Sequence, residues 1–128
     1  MTDAALHRLG GKGPDVLLIN GFGGDRLSWL AVAPQLFERA SVWAVECGGH
    51  GAAGNDVADG SAPALCAAIE AEAEGRLTRP LVVGHSLGGT LALHLAARGT
   101  LDPAGLVLLA PAGVGKGPDP AFIEAPRA

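Results

Sequence analysis

Short aliphatic runs alternate along this chain with longer stretches of helical periodicity. Val16–Ile19 is a compact apolar run closed by Asn20-Gly21. Ser28–Arg39 carries Trp29, Ala33, Leu36 and Phe37 on one side, which predicts a helix whose regular part begins near Pro34. Ser41–Glu46 is a second apolar run, ended by Cys47-Gly48-Gly49, and a loop rich in Gly, Ala and Asp continues to about Gly60. Ala62–Leu77 predicts a second helix, with Leu65, Ile69, Ala73 and Leu77 as its apolar stripe and Glu70, Glu72 and Glu74 turned to water. Leu81–Val83 reads as a third strand, Leu87–Arg98 as a third helix stopped at Gly99, and Gly105–Ala110 as a fourth strand. Pro111–Ala128 has no period and reads as an irregular tail.

Strands that are apolar throughout, separated by helices of this length, imply βαβ crossovers and a parallel sheet covered on both faces. The expected class is therefore α/β, and 128 residues allow one domain at most. Composition narrows the possible partners. A net charge of −4 with no cluster of Lys or Arg argues against a nucleic-acid surface. No apolar run is long enough to cross a membrane, and Met1–Gly10 lacks the apolar core of an export signal. A cytoplasmic protein is expected, with Cys47 and Cys66 as reduced thiols in no metal-binding spacing.

The candidate chemistry sits between the third strand and the third helix. Gly84-His85-Ser86-Leu87-Gly88 puts a serine between two glycines at a strand-to-helix turn. Such a turn needs residues without a bulky side chain on either side, and it leaves the serine hydroxyl projecting from the tip of the sheet. The following helix directs its free N–H groups and positive dipole end at the same spot. A nucleophilic serine also needs donors for an oxyanion. Asn20-Gly21-Phe22-Gly23-Gly24, at the end of the first apolar run, offers backbone N–H groups, and the serine turn adds that of Leu87.

Four blocks together resemble the α/β-hydrolase superfamily: Val16 to Asp25, Trp29, Gly49-His50-Gly51, and Gly84-His85-Ser86-Leu87-Gly88-Gly89. Leu109-Ala110-Pro111-Ala112-Gly113 is similar to the segment before that family's lid. Within the superfamily the chain is also similar to the hydrolase-like module at the end of some acetoin-dehydrogenase acyltransferase subunits. The resemblance implies that Ser86 is the nucleophile and that Phe22 and Leu87 lend their N–H groups to the oxyanion hole. It implies that Asn20, Gly21, Gly23 and Gly24 form the site loop, and that the substrate is a small molecule with an ester or related acyl bond. A serine at this position, where the family's halide and epoxide enzymes carry a carboxylate, argues against those two chemistries.

Asn20 stands where the family usually has histidine, and Glu46 where it usually has aspartate. Asn20 can still brace the loop by hydrogen bonding, and the residue matching Glu46 does no chemistry. The larger departure is that the family takes its triad acid and histidine from loops after later strands. The resemblance therefore covers an N-terminal half, apparently truncated after the fourth recognisable strand. His7 lies on an expected strand edge, His50 belongs to a Gly-His-Gly loop in which it either shapes the turn or helps line the site, and His85 points away from Ser86. His94 lies about 12 Å along the third helix. None is well placed as the base for Ser86, so the isolated chain is expected to turn over little or nothing. The alternative is a non-catalytic fragment, or a module that binds a small molecule or a protein.

Two nucleotide-binding patterns fail on context. Gly49 to Gly54 matches G-x-G-x-x-G, but several residues separate it from its strand and Glu70 falls in a helix. Gly113 to Gly117 lacks the Ser or Thr of a phosphate loop. No cofactor and no metal are expected. The family's strand order would leave Leu106-Val107-Leu108-Leu109 at an open sheet edge, from which self-association is expected.

Overall fold

A computed structural model describes residues 2–115. Its element order is β1 (Ala4–Gly11), β2 (Asp15–Ile19), β3 (Ser41–Cys47), α1 (Ala62–Ala73), β4 (Leu81–His85), α2 (Leu87–Arg98) and β5 (Gly105–Leu109). The five strands form one sheet in the order β1-β3-β2-β4-β5. β2, the first strand expected from the sequence, thus lies between the second and third, with the fourth outside the third. The portion of the tail at 116–128, with Lys116 and Gly117, lies outside the described residues.

The α/β class stands, but the sheet is mixed rather than wholly parallel. β2 to β5 pair in parallel, whereas β1 joins β3 antiparallel with a register shift between Arg8 and Gly10. The strand is easily overlooked in the sequence because His7, Arg8 and the Gly10-Gly11 pair interrupt its apolar pattern. An edge strand tolerates such residues, since only one side of it needs a ladder.

Alternation along the strands divides the core. Leu17, Ile19, Val45 and Val82 face α1 and α2, where they meet Leu65, Ile69, Leu91 and Leu95. Val16, Leu18, Val42 and Ala44 face the other way, toward Trp29 and Ala33. Because β2 is buried on both faces, its sequence is apolar at every position from Val16 to Ile19. Each large aliphatic side chain buried in this way contributes about 1.5–3 kcal/mol.

The helix expected over Ser28–Arg39 is absent. Two short 3-10 turns, Arg26–Trp29 and Ala33–Leu36, take its place. Asp25 caps the first with its carboxylate on the Leu27 N–H, and Pro34 at the start of the second has no N–H to continue a ladder from the first. The apolar spacing is still satisfied, because Trp29 and Ala33 both reach the core.

α1 ends at Ala73 rather than Leu77, followed by Gly75 in a left-handed conformation with φ +72°. Glu70 does not turn to water. Its side chain is only 8% exposed and pairs with Arg98 on α2 at 2.7 Å, tying the two helices together. On β5, Leu106 and Leu108 pack on the helical face, while Val107 and Leu109, on the other face, are 40% and 44% exposed. Among the described residues no helix is long and apolar enough to cross a membrane.

Candidate active site

The ends of β2, β3 and β4 meet at one rim of the sheet, and every candidate residue lies there. β4 runs into α2 with no intervening loop, so the chain must reverse within Ser86 itself. Ser86 has φ +53° and ψ −115°, a conformation that residues with a side chain adopt only when the surroundings enforce it. Two close approaches do so. A side chain on Gly84 would overlap the Gly88 carbonyl, and one on Gly88 would overlap the Ile19 carbonyl at the end of β2. Ser86 N–H donates to the Leu109 carbonyl at 3.0 Å, and its own carbonyl accepts from Ala112 N–H at 3.1 Å. Thr90 Oγ1 donates to the Ala112 carbonyl, so the segment after β5 folds back over the turn. Leu87 begins α2, in which Gly89 and Thr90 N–H turn back onto the Ser86 carbonyl at 2.9 and 3.3 Å, while the N–H groups of Leu87 and Gly88 precede the helical ladder.

The glycine loop after β2 lies against this turn. A Cβ on Gly21 would stand 3.2 Å from both Ser86 Cβ and His85 Nδ1. Asn20, buried at the end of β2, donates from Nδ2 to the Gly21 carbonyl at 2.8 Å, and Gly24 N–H closes a tight turn onto the same carbonyl at 3.1 Å. Phe22 is 81% exposed at the loop's tip. The structure thus brings Asn20, Gly21, Phe22, Gly23 and Gly24 to the same rim as Ser86 and Leu87. Phe22 and Leu87 also share a cavity of about 240 Å³, completed by Cys47, Gly48, His50, Val57, Gly60 and Leu65. A larger cavity, about 390 Å³, lies at the end of α1 against Thr100 and Leu101 and contains none of these residues.

Glu46 carries more of this arrangement than its sequence position suggested. It is fully buried at the end of β3, and its carboxylate accepts from Arg26 N–H at 2.9 Å and Ala52 N–H at 3.0 Å. His7 Nε2 on β1 lies 2.5 Å away, and the Arg26 guanidinium adds a contact at 3.4 Å. Burial alone would push the Glu46 carboxyl upward. The amides of Arg26 and Ala52, with His7, outweigh that and hold it below its ordinary value. One carboxylate therefore fastens the loop after β2, the turn after β3, and β1. The signal available in the sequence was an acid closing an otherwise apolar strand just before a glycine-rich turn.

His50 also does more than shape a turn. Its Nε2 accepts from Gly23 N–H at 2.9 Å, its Nδ1 lies 3.1 Å from the Gly48 carbonyl, and its ring meets Phe22 edge-on at 5.7 Å. His85 and His94 are exposed, and His7 is engaged with Glu46. Cys47 and Cys66 are free and buried, and burial pushes both thiols up to about 11, so neither is a poised nucleophile. Among the described residues no group of three or more His, Cys, Asp or Glu is placed to hold a metal ion.

Known proteins resemble the chain over most of its length. Residues 16–128 match the alpha/beta hydrolase family. The acetyltransferase component of the acetoin cleaving system of Pseudomonas putida is 33% identical over 110 residues, which cover 84% of this chain and 30% of that protein. Lipase LipV of Mycobacterium tuberculosis is 37% identical over 116 residues, covering 88% of this chain and 43% of the lipase. Among solved structures, an alpha/beta hydrolase fold protein from Burkholderia ambifaria superposes with a TM-score of 0.80 at 25% identity, over 93% of this chain and 44% of its own. The chain thus spans less than half the length of each of these proteins. A match that runs from β2 through the serine turn and beyond shows that the chain belongs to the alpha/beta hydrolase family.

Proposed function

We propose that Ser86 is the nucleophile of a serine hydrolase acting on an ester or related acyl bond, with the N–H groups of Phe22 and Leu87 as oxyanion donors. The observation that carries this reading is the backbone of Ser86, with φ +53° and ψ −115° over two glycines that have no room for a side chain. Strain of this kind costs about 1–3 kcal/mol and persists where a serine must be presented at a helix N-terminus. The exposed glycine loop supports the second donor, since Gly21 touches the serine turn and Phe22 and Leu87 line one cavity. The similarity to a lipase over 88% of the chain favours acyl chemistry.

In this reading the Ser86 hydroxyl attacks the acyl carbon, and the carbonyl oxygen takes up negative charge beside the two amides. A base must accept the hydroxyl proton and return it to the leaving group. His7 and His50 are committed to Glu46 and Gly23, and the family draws its base and acid from loops after later strands. The 128-residue chain is therefore expected to acylate slowly. We also propose that β5, the outermost strand on its side of the sheet among the described residues, with Val107 and Leu109 exposed, drives self-association of the isolated chain. Sedimentation showing a clean monomer at tens of micromolar would refute that part.

The test of the nucleophile is labelling by a fluorophosphonate probe, read by peptide mass spectrometry. The adduct is expected on Ser86 and is expected to vanish in Ser86→Ala. In any longer protein that contains this chain, hydrolysis of p-nitrophenyl esters should be lost in the same variant. Labelling at another residue, or ester hydrolysis that survives Ser86→Ala, would overturn the assignment.

A further inference from the structure

We propose that His50 is a positioning residue, a neutral imidazole held as the Nδ1–H tautomer that fixes the glycine loop by accepting the Gly23 N–H. The tautomer follows from its two neighbours. A backbone N–H can only donate, so the Nε2 that lies 2.9 Å from Gly23 N must present a lone pair. A carbonyl oxygen can only accept, so the Nδ1 that lies 3.1 Å from the Gly48 oxygen must carry the proton. Both ring nitrogens are then engaged, and the imidazole can take no proton from Ser86 without releasing Gly23.

The imidazole spans from a rigid segment to a pliable one. The turn at 47–54 is closed by its own backbone, with His50 N–H on the Cys47 carbonyl at 3.0 Å, Ala53 N–H on the His50 carbonyl at 3.0 Å and Gly49 N–H on the Gly54 carbonyl at 2.8 Å. Buried Glu46 pins the same turn through Ala52 N–H at 3.0 Å. The glycine loop is held differently. Its bonds from Asn20 and Gly24 to the Gly21 carbonyl are internal, and nothing lies within 4 Å of where a Gly23 side chain would be. His50 supplies a tether from a distant part of the chain, 27 residues on, and its ring also carries the edge contact with Phe22. Two consecutive loop residues, Phe22 and Gly23, therefore rest on one imidazole. The Gly23 N–H holds the peptide that follows Phe22 and the ring contact holds its side chain, so together they restrict the rotation about Phe22 that sets the direction of its own N–H, the proposed oxyanion donor. The last step rests on the hydrolase reading above, whereas the tether itself does not.

Three forms of the 128-residue chain test the idea: the unaltered protein, His50→Gln, whose Oε1 can accept at the position of Nε2, and His50→Leu, which cannot accept. At about pH 8, above the ordinary imidazole range, nitrogen-15 spectra of His50 should show a protonated Nδ1 and an unprotonated Nε2. Exchange of the Gly23 amide should quicken about fivefold to tenfold in His50→Leu, the effect of losing one hydrogen bond. In His50→Gln it should stay within about threefold of the unaltered chain, with amides of β2 and β4 unchanged in both variants. Fluorophosphonate labelling of Ser86 should fall about tenfold in His50→Leu and recover in His50→Gln, because displaced donors stabilise the oxyanion poorly. A protonated Nε2, or equal Gly23 exchange in the two variants, would overturn the proposal. Tethering as described with unchanged labelling across all three forms would overturn Phe22 as an oxyanion donor and leave the His50 support standing.

Discussion

The serine turn and the glycine loop face each other across the same rim, yet they are held by opposite means. The turn is fixed by exclusion. Gly84 and Gly88 lie against backbone carbonyls with no room for a side chain, so Ser86 has one place to go. The loop is fixed by attachment. Gly23 has nothing within 4 Å of its missing side chain and depends on His50, while the chain leaving the loop is bonded to Glu46 through Arg26 N–H. A rim built from one unyielding wall and one tethered wall can hold Ser86 rigidly while the loop opposite it adjusts.

Substituting alanine into each wall gives the sharpest contrast. Gly88→Ala should destabilise the protein by about 3 kcal/mol or more, because the new methyl group meets the Ile19 carbonyl and backbone cannot rotate away. Gly23→Ala meets no neighbour and suffers only from its φ of +80°, so it should cost about 1 kcal/mol. Urea denaturation measures both. Equal losses would erase the distinction between exclusion and attachment.

Glu46 is the anchor of the tethered wall, and its removal should come next in size. Glu46→Gln keeps the volume but replaces one acceptor oxygen with an amide that points donors at donors. A loss of about 3 kcal/mol is expected, typical of breaking a buried charged cluster. The pH dependence has a definite sign. The folded carboxyl lies below its ordinary value of 4.5, so its contribution is complete above that value and disappears as pH falls through the lower folded value. Urea midpoints recorded from about pH 7 to about pH 3 should therefore fall less steeply in Glu46→Gln than in the unaltered chain. Parallel curves would show that Glu46 does not hold its proton equilibrium away from that of the unfolded chain.

The same contrast explains what could be read from the sequence. The serine turn was legible because its causes are adjacent: an apolar run, two glycines, and a helix whose limits, Leu87 and Arg98, were read as observed. β2 was legible because burial on both faces leaves only apolar residues from Val16 to Ile19, and β3 to β5 because each carries an apolar run, although β5 exposes Val107 and Leu109 on one face. The tethers were not legible, since Glu46 meets His7 and Arg26 at separations of 39 and 20 residues that no local pattern encodes. His50 could be read as part of a turn, but not as the acceptor for an amide 27 residues away. The error at Ser28–Arg39 has a different origin. Two 3-10 turns can present Trp29 and Ala33 to one core as well as a helix can, so periodicity alone could not separate them. The helical stripe alone points Glu70 to water, because its partner Arg98 belongs to another helix.

The smallest expected effect concerns the strain in the rigid wall itself. Ser86→Ala removes the hydroxyl but keeps the Cβ, so the φ of +53° remains as unfavourable as before. Ser86→Gly removes the Cβ as well and relieves strain worth about 1–3 kcal/mol. Glycine returns about 0.5–1 kcal/mol of this through the greater freedom of its unfolded chain. Ser86→Gly should therefore be more stable than Ser86→Ala by about 1 kcal/mol, while both lose the fluorophosphonate adduct. Thermal melts of the two variants, side by side, read the difference directly. If Ser86→Gly melts no higher, the turn accommodates a side chain without strain, and Ser86 is not held by exclusion. If it melts higher, the chain sacrifices stability at this position to keep a hydroxyl there, as expected of a nucleophile and not of an idle serine.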